Sequence, residues 1–423
     1  MANPTIVVHY HELWLKGRNR SFFLGKLVTA LKCALEGIPI VRLGQPGDRV
    51  LVELDEGARL EEAIARAERV LGIAYFAVAR PVERDLDAIC RVAWDEVEPA
   101  HFATFAVRAK RSDKSFPLHT VELEARVGAY LLKRLREAGR NVHVQLDDPE
   151  LTCRIEITAR QAFVYARKIP GAGGLPANTA GRMMCLLSGG FDSAVAAYKM
   201  MKRGAHVSFV HFYRGGARPG ESSVHVAREL VRKLVPYQFT ARLYLVPFEE
   251  IQREIVSFAP ETYRLLLYRR MMLRIAEKLA HRDRALAIIA GDSLGQVASQ
   301  TLQNMVAVGG ATRMPVFRPL SGDDKQEIIA LARRIGTYEI SAEPFHDCCP
   351  VFLPKVPALH ASVEDLDKAE ATLAAASLGA CSVNALVQRG LDAATLERFR
   401  YSGGRVEQIS PESKSRKVAE SKV

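Results

Sequence analysis

The stretch MMCLLSGGFDS, residues 183–193, decides the reading of the chain. Five apolar residues run into Ser188-Gly189-Gly190-Phe191-Asp192-Ser193, and a segment with helical spacing follows. A strand that enters a glycine pair and leaves as a helix suits an anion. The glycines let backbone approach a pyrophosphate with no Cβ in the way. The first helical turn supplies N–H groups and the positive end of the helix dipole. Ser188 and Ser193 add hydroxyl donors. Asp192 would repel phosphate, so it either holds Mg²⁺ or orders the loop. Neither the Walker A pattern with its lysine nor a G-x-G-x-x-G is present here. A glycine turn capped by Ser and Asp is the alternative; the position at the opening of an α/β region favours a nucleotide.

Outward from this loop, residues 180 to about 350 alternate strand and helix. Strands are expected at 183–187, 207–211, 243–246 and 286–290, and helices at 193–202, 224–234, 263–279 and 325–335. Such alternation predicts a doubly wound parallel sheet that binds ligands at the carboxyl ends of its strands. Upstream, Pro170-Gly-Ala-Gly-Gly-Leu-Pro176 breaks both helix and strand and reads as a linker. Residues 1–80 read strand, helix, strand, helix and suit a small ferredoxin-like α+β unit. Residues 81–168 form a second α+β unit, with a long helical period at 120–138 and strands at 105–110, 142–146, 153–158 and 162–166. The domain boundaries expected are therefore 1–80, 81–168, a linker at 169–179, 180–355, and an extension at 356–423. The extension shows an acidic-faced helix at 363–375 and a tail, 411–423, of disordered composition.

Composition limits the function classes. The 423 residues are 48% hydrophobic and 25% charged, a soluble globular balance. No apolar run approaches the ~18 residues of a membrane span, and the N-terminus lacks a basic region before its apolar run. A cytoplasmic protein that does not enter a membrane is expected. Lys and Arg outnumber Asp and Glu by 59 to 48, a net charge of +11, which suits a polyanionic partner and also many proteins that bind none. Seven cysteines over this length do not make a secreted disulfide framework. Cys33, Cys90, Cys153, Cys185 and Cys381 read as small buried hydrophobes. Cys348 and Cys349 stand apart, adjacent to each other and preceded by His346-Asp347.

The motifs occur in an order that resembles one family. LLSGGFDS at 186–193, RRMMLR at 269–274, GDSLGQVASQT at 291–301, RPL at 318–320, DK at 324–325, IGTYE at 335–339 and DCC at 347–349 follow one another; ELWLKGRNR at 12–20 and KRSDKSFP at 110–117 precede them. Together they resemble the tRNA uridine 4-sulfurtransferase (4-thiouridine synthetase) family, in its form without a rhodanese domain. The resemblance implies an N-terminal ferredoxin-like domain, a tRNA-binding THUMP domain and a PP-loop ATP pyrophosphatase domain. It implies ATP contacts from Leu186, Leu187, Ser188, Gly189, Gly190, Asp192, Ser193, His211, Phe212, Arg269, Gly291 and Gln300. Each of these also has an ordinary reading as a strand end, a turn or a solvated helix residue.

The implied reaction uses Mg²⁺ and ATP to adenylate a uridine oxygen, after which a cysteine persulfide delivers sulfur and AMP leaves. Asp192, Cys349 and Cys348 are the expected catalytic residues, Cys349 matching the family's cysteine best. A cysteine desulfurase would load the persulfide. Sulfur transfer to a sulfur-carrier protein for thiamine thiazole, known in the family, is tied to the rhodanese domain that the residues after 353 are too few to form. No C-x-x-C suggests an iron–sulfur cluster, and no metal site is expected. Departures from the family pattern are Asp292 in place of Glu, Asn178 in place of Gly, and the stretch 213–222. For tRNA, the resemblance favours the basic strand and loop with Arg108, Lys110, Arg111 and Lys114, extended by Lys16, Arg18 and Arg20; a solvated basic edge is the alternative. A homodimer is allowed for, with no residues to place its interface. The competing readings are a different RNA-modifying PP-loop enzyme and a tRNA-binding module without catalysis.

Overall fold

The computed structural model describes residues 3–214, 223–342, 356–377 and 379–409. The chain separates into two compact units, residues 1–175 and 176–423.

The first unit is built on one continuous sheet. Strands β1 (Thr5–His9), β2 (Ile40–Gly44), β3 (Val50–Leu54) and β4 (Tyr75–Val82) lie in the order β2-β3-β1-β4, all antiparallel, with helices Arg20–Ala34 and Leu60–Ala67 between them in sequence. This is the expected ferredoxin-like topology. The sequence reading missed β2, none of whose residues is buried. Strand β4 is long enough to serve two neighbours. Residues 75–79 pair with β1, and residues 80–82 pair with β8 (Ala162–Tyr165) of the second subdomain. That subdomain adds β5 (Thr104–Arg111), the short β6 (His143–Val144) and β7 (Leu151–Ile157) to extend the order as β4-β8-β7-β5-β6. Helices Leu86–Val97 and Thr120–Glu137 cover it around a core that includes Phe105, Leu131 and Ile155. The expected linker is partly fixed. Ile169–Pro170, β9, pairs with β4, and the Gly173 N–H donates to the Ile73 carbonyl at 2.7 Å.

A buried polar network joins the two subdomains where they share β4. Glu156 on β7 accepts from His9 Nε2 at 2.8 Å and from the Tyr165 hydroxyl at 2.6 Å, and pairs with the fully buried Arg49. Arg49 also donates to Asp48 at 2.7 Å and to Ser112 at 2.5 Å. Asp48 in turn pairs with Lys110. Every member has a partner, so the network leaves no uncompensated buried charge, the arrangement that costs a fold most. Burial alone would raise the Asp48 carboxyl, but the bonds to Lys110 and Arg49 outweigh it and hold it at about 2 against an ordinary 3.8.

The second unit carries a seven-stranded sheet in the order β14-β13-β10-β11-β12-β15-β16. Its strands are β10 (Arg182–Leu186), β11 (His206–Tyr213), β12 (Thr240–Pro247), β13 (Ala287–Ile289), β14 (Val316–Phe317), β15 (Thr395–Ser402) and β16 (Arg405–Ile409). The first five run parallel, as the alternation predicts. Six of the eight residues of β11 are buried, the near-continuous apolar run of a strand covered on both faces. Helices Phe191–Lys202, Ser223–Gln238 and Arg264–Arg282 follow β10, β11 and β12. The extension departs from expectation. After helices Val363–Ala376 and Val383–Asp392 it forms an antiparallel hairpin that joins the sheet through β12, with Glu397 bridging to Arg228. The sheet is therefore mixed. Tail residues 411–423 and the stretch 215–222 lie outside the described residues.

A carboxyl whose folded pKa is lowered contributes stability above its unfolded pKa, and the contribution is lost as pH falls through the folded value. Asp48 should thus contribute above about pH 4 and lose its effect towards pH 2. Urea unfolding at pH 5 and pH 3 should show Asp48→Asn losing less stability over that interval than the wild type; equal losses would remove Asp48 from the network's energetics.

Candidate nucleotide site

In the strand order, β11 and β12 lie to one side of β10 and β13 to the other. The carboxyl ends of β10 and β13 therefore flank a topological switch point, where open α/β sheets bind ligands. A cavity of about 610 Å³ opens there.

The loop after β10 forms one wall. Ser193 organises it: its hydroxyl donates to the Gly190 carbonyl at 3.0 Å and accepts from the Ser188 N–H at 3.1 Å. The Ser188 hydroxyl accepts from the Gly190 N–H at 3.2 Å. Gly190 is the N-cap of helix Phe191–Lys202 and has no side chain to cap the first turn, whose N–H groups thus suit an anion. Beneath the loop, Cys185 donates to the Ser193 carbonyl at 3.6 Å, and burial pushes its thiol far up. Asp192 meets Lys325 Nζ at 3.0 Å through both carboxylate oxygens, and Lys325 lies 4.4 Å from the Phe191 ring centroid.

The residues after β13 form the opposite wall, and Gly291 sets its distance. A Cβ at Gly291 would stand 2.8 Å from both Cα and N of Ser193, closer than side-chain carbons approach backbone. Next in sequence, buried Asp292 pairs with Arg269, accepts from Arg318 Nε at 3.3 Å and from Gln300 Nε2 at 3.4 Å. Burial would raise this carboxyl, but the two guanidinium groups prevail and hold it below the carboxylate range. Arg269 also donates to the Ser299 hydroxyl at 2.9 Å. Gln300 Oε1 is buried and accepts no hydrogen bond, although it belongs to the cavity wall. Leu186, Phe212, Leu265, Met272 and Val316 provide an apolar end.

Leu186, Leu187, Ser188, Asp192, Ser193, Phe212, Arg269, Gly291 and Gln300 thus come together around one cavity. Gly189 and Gly190 shape the loop and are not in the lining. His211 is not in the lining either: its ring lies behind the loop, where Nδ1 donates to the Leu187 carbonyl at 2.9 Å and Nε2 sits 3.0 Å from Ser223 Oγ. Sequence reasoning did not single out Asp292, Ser299, Arg318 or Lys325 as site residues. All four lie in quoted motifs, and a carboxylate among arginines of matching order was the available signal. Cys348 and Cys349 lie outside the described residues.

The basic residues of the first unit are only partly free for RNA. Arg108 and Lys114 are exposed, as is Arg18. Arg108 reaches the Leu146 carbonyl at 2.7 Å, and Arg111 donates to the Leu118 and Lys114 carbonyls. Lys110 pairs with Asp48. Arg20 donates to the Tyr10 hydroxyl at 3.0 Å and stacks 3.7 Å from the Trp14 ring centroid, and Lys16 lies 5.0 Å from that of Phe23. Phe116, in the same loop, is packed in the core.

A phosphate loop at the switch point of a parallel sheet, joined by a buried acid among arginines, defines a nucleotide-using α/β enzyme of the PP-loop class. Family profiles agree with each part. The ThiI ferredoxin-like domain matches residues 5–77, the THUMP domain 83–167, and "Thiamine biosynthesis protein (ThiI)" 178–375. A probable tRNA sulfurtransferase of Thermus thermophilus is 43% identical over 373 residues, covering 88% of this chain and 90% of the relative. One from Caldanaerobacter subterraneus is 41% identical over 365 residues, covering 86% and 94%. A crystal structure of a 4-thiouridine synthetase–RNA complex with bound ATP superposes with a TM-score of 0.81 at 31% identity, covering 94% of this chain and 99% of that one. The chain belongs to the tRNA sulfurtransferase family.

Gly291→Ala tests the geometry. The added methyl must displace Ser193 and the helix start, so ATP affinity should fall by more than about tenfold while the melting temperature changes by only a few degrees. Titration calorimetry with Mg-ATP measures this; wild-type affinity would mean that the loop has no fixed register against Gly291.

Proposed function

We propose that this chain replaces the 4-oxygen of a tRNA uridine, at position 8, with sulfur, by way of an adenylated uridine and a cysteine persulfide. The observation that carries the reading is the cavity itself, which combines a phosphate loop, an apolar slot for a base and an unsatisfied buried acceptor, Gln300 Oε1. That acceptor suits an amino donor such as the one on adenine. The solved relative with both RNA and ATP supports the same pair of ligands here. The division of labour follows the expected domains: ferredoxin-like 1–80, THUMP 81–168, linker 169–179, PP-loop 180–355 and extension 356–423. Arg108, Lys114 and Arg18 are the phosphate contacts we favour. Mg²⁺ would arrive on the nucleotide, with Asp192 as the carboxylate able to hold it. Among the described residues no cluster of three His, Cys, Asp or Glu offers a separate metal site.

Uridine O4 attacks the α-phosphorus of ATP, and pyrophosphate leaves. A carbonyl oxygen becomes part of AMP, a far better leaving group. The terminal sulfur of a persulfide on Cys349 attacks C4, and AMP departs with the former O4. A second thiol, Cys348 or a free carrier, attacks Cys349 Sγ, releasing the thiocarbonyl and leaving a disulfide that an external thiol reduces. Other thiols suit the nucleophile less well. Burial pushes Cys90 up to about 11 and Cys153 up to about 12, and burial with the Glu254 carboxylate raises Cys381. A cysteine desulfurase is the donor class that would reload the persulfide.

Purified protein, unmodified tRNA, Mg-ATP and sulfide should yield 4-thiouridine, read by mass spectrometry of digested tRNA. Asp192→Ala should lower the rate about 100-fold or more. Cys349→Ser should lose activity with a desulfurase and cysteine but retain it with free sulfide. ATP-independent product would contradict activation by adenylation. ATP cleavage absent with tRNA binding intact would favour a binding module.

A further inference from the structure

One residue inside the second unit is built to join two walls of the nucleotide cavity. Asn304 is fully buried near the start of helix Leu302–Gly309. Its Nδ2 donates to the carbonyls of Ala298 and Ala358, each at 2.8 Å, and its Oδ1 accepts from the Ala361 N–H at 2.9 Å. All three partners are backbone, so side-chain identity elsewhere does not replace these bonds. Ala298 belongs to the cavity-lining run that includes Ser299 and Gln300; Ala358 follows Pro357, which lines the cavity from the C-terminal extension. The extension is held from both sides. The Thr262 hydroxyl donates to the Val356 carbonyl at 3.2 Å, and the Thr301 hydroxyl donates to the Leu359 carbonyl at 2.7 Å. Further along, buried Glu370 on helix Val363–Ala376 accepts from Arg270 at 2.9 Å and from Arg274 at 2.5 Å, so two arginines of the helix that presents Arg269 to the cavity hold the extension.

We propose that Asn304 is a positioning residue for the nucleotide, and that the start of the C-terminal extension is a working wall of the ATP site, held in register by Asn304 and Thr262. Only a carboxamide supplies two donors and an acceptor at this spot; a carboxylate of the same shape supplies no donors and would face two carbonyl oxygens. Losing these bonds frees Ser299, Gln300 and Pro357 to move relative to one another, which weakens ground-state binding of ATP and leaves the phosphate loop intact. The proposal rests on the cavity's being the ATP site.

The test measures the Kd of Mg-ATP by calorimetry, and KM and kcat for ATP in the sulfide-driven thiolation of tRNA, on the full chain. Asn304→Asp should raise Kd and KM for ATP about tenfold and leave kcat at saturating ATP within about twofold of wild type. Thr262→Val, an isosteric change at a half-buried position, should raise both about threefold without lowering the melting temperature appreciably. If Asn304→Asp does not fold, Thr262→Val decides alone. Unchanged ATP affinity in the folded variants, or a fall in kcat with KM unchanged, would overturn the positioning role. Failure of the wild type to bind ATP would instead sink the assignment of the cavity.

Discussion

The nucleotide site depends on a contact between two backbones. Gly291, after β13, lies against Cα and N of Ser193 at the start of the helix after β10, with no room for a Cβ. That approach fixes the first helical turn, and with it the N–H groups that face an anion, against the opposite wall. Ser193 completes the arrangement by bonding to both Ser188 and Gly190. A side chain at 291 would separate the strands' carboxyl ends from the loop they present. The glycine is thus a spacing requirement, and its φ is not in the left-handed region.

Each wall around this contact carries an ion pair, exposed on one side and buried on the other. On one, the exposed pair Asp192–Lys325 can exchange its partner for a ligand at small cost, since such pairs contribute little in solvent. On the other, Asp292 is buried and held ionised by Arg269 and Arg318. That carboxylate fixes where two guanidinium groups sit before any substrate arrives, which is the form of preorganisation that electrostatic catalysis needs. The first unit uses the same device for a different end: Glu156 and Arg49 fix how the ferredoxin-like and THUMP subdomains share β4.

Much of this was legible in the residues. The alternation of strand and helix after residue 180 carries the parallel sheet because each buried strand is a continuous apolar run with no competing period. The phosphate loop was legible because glycine, serine and strand-to-helix order are local features. Other features were not. Strand β2 has no buried residue and no clean alternation. The hairpin β15–β16 reads as polar, TLERFRYS and RVEQI, because only two of its residues, Phe399 and Tyr401, are buried, and its partner β12 is about 150 residues upstream. His211 was matched to the ligand through the family resemblance; its ring bonds to the Leu187 carbonyl and to Ser223 and is not in the cavity lining. Pairings between distant residues, such as Arg270 with Glu370 and Lys110 with Asp48, leave no local trace, so a basic helix or strand reads as a surface until its acids are placed.

The central claim is that this cavity spends ATP on moving a uridine oxygen onto AMP. The direct measurement is an isotope transfer: tRNA carrying ¹⁸O at O4 of the target uridine, turned over with Mg-ATP and sulfide, with mass analysis of the small products. The account predicts that each 4-thiouridine formed is matched by one AMP bearing ¹⁸O, with pyrophosphate unlabelled. Label in inorganic phosphate would mean attack at the γ-phosphorus, and label released as water with AMP unlabelled would mean that ATP does not activate the uridine through O4.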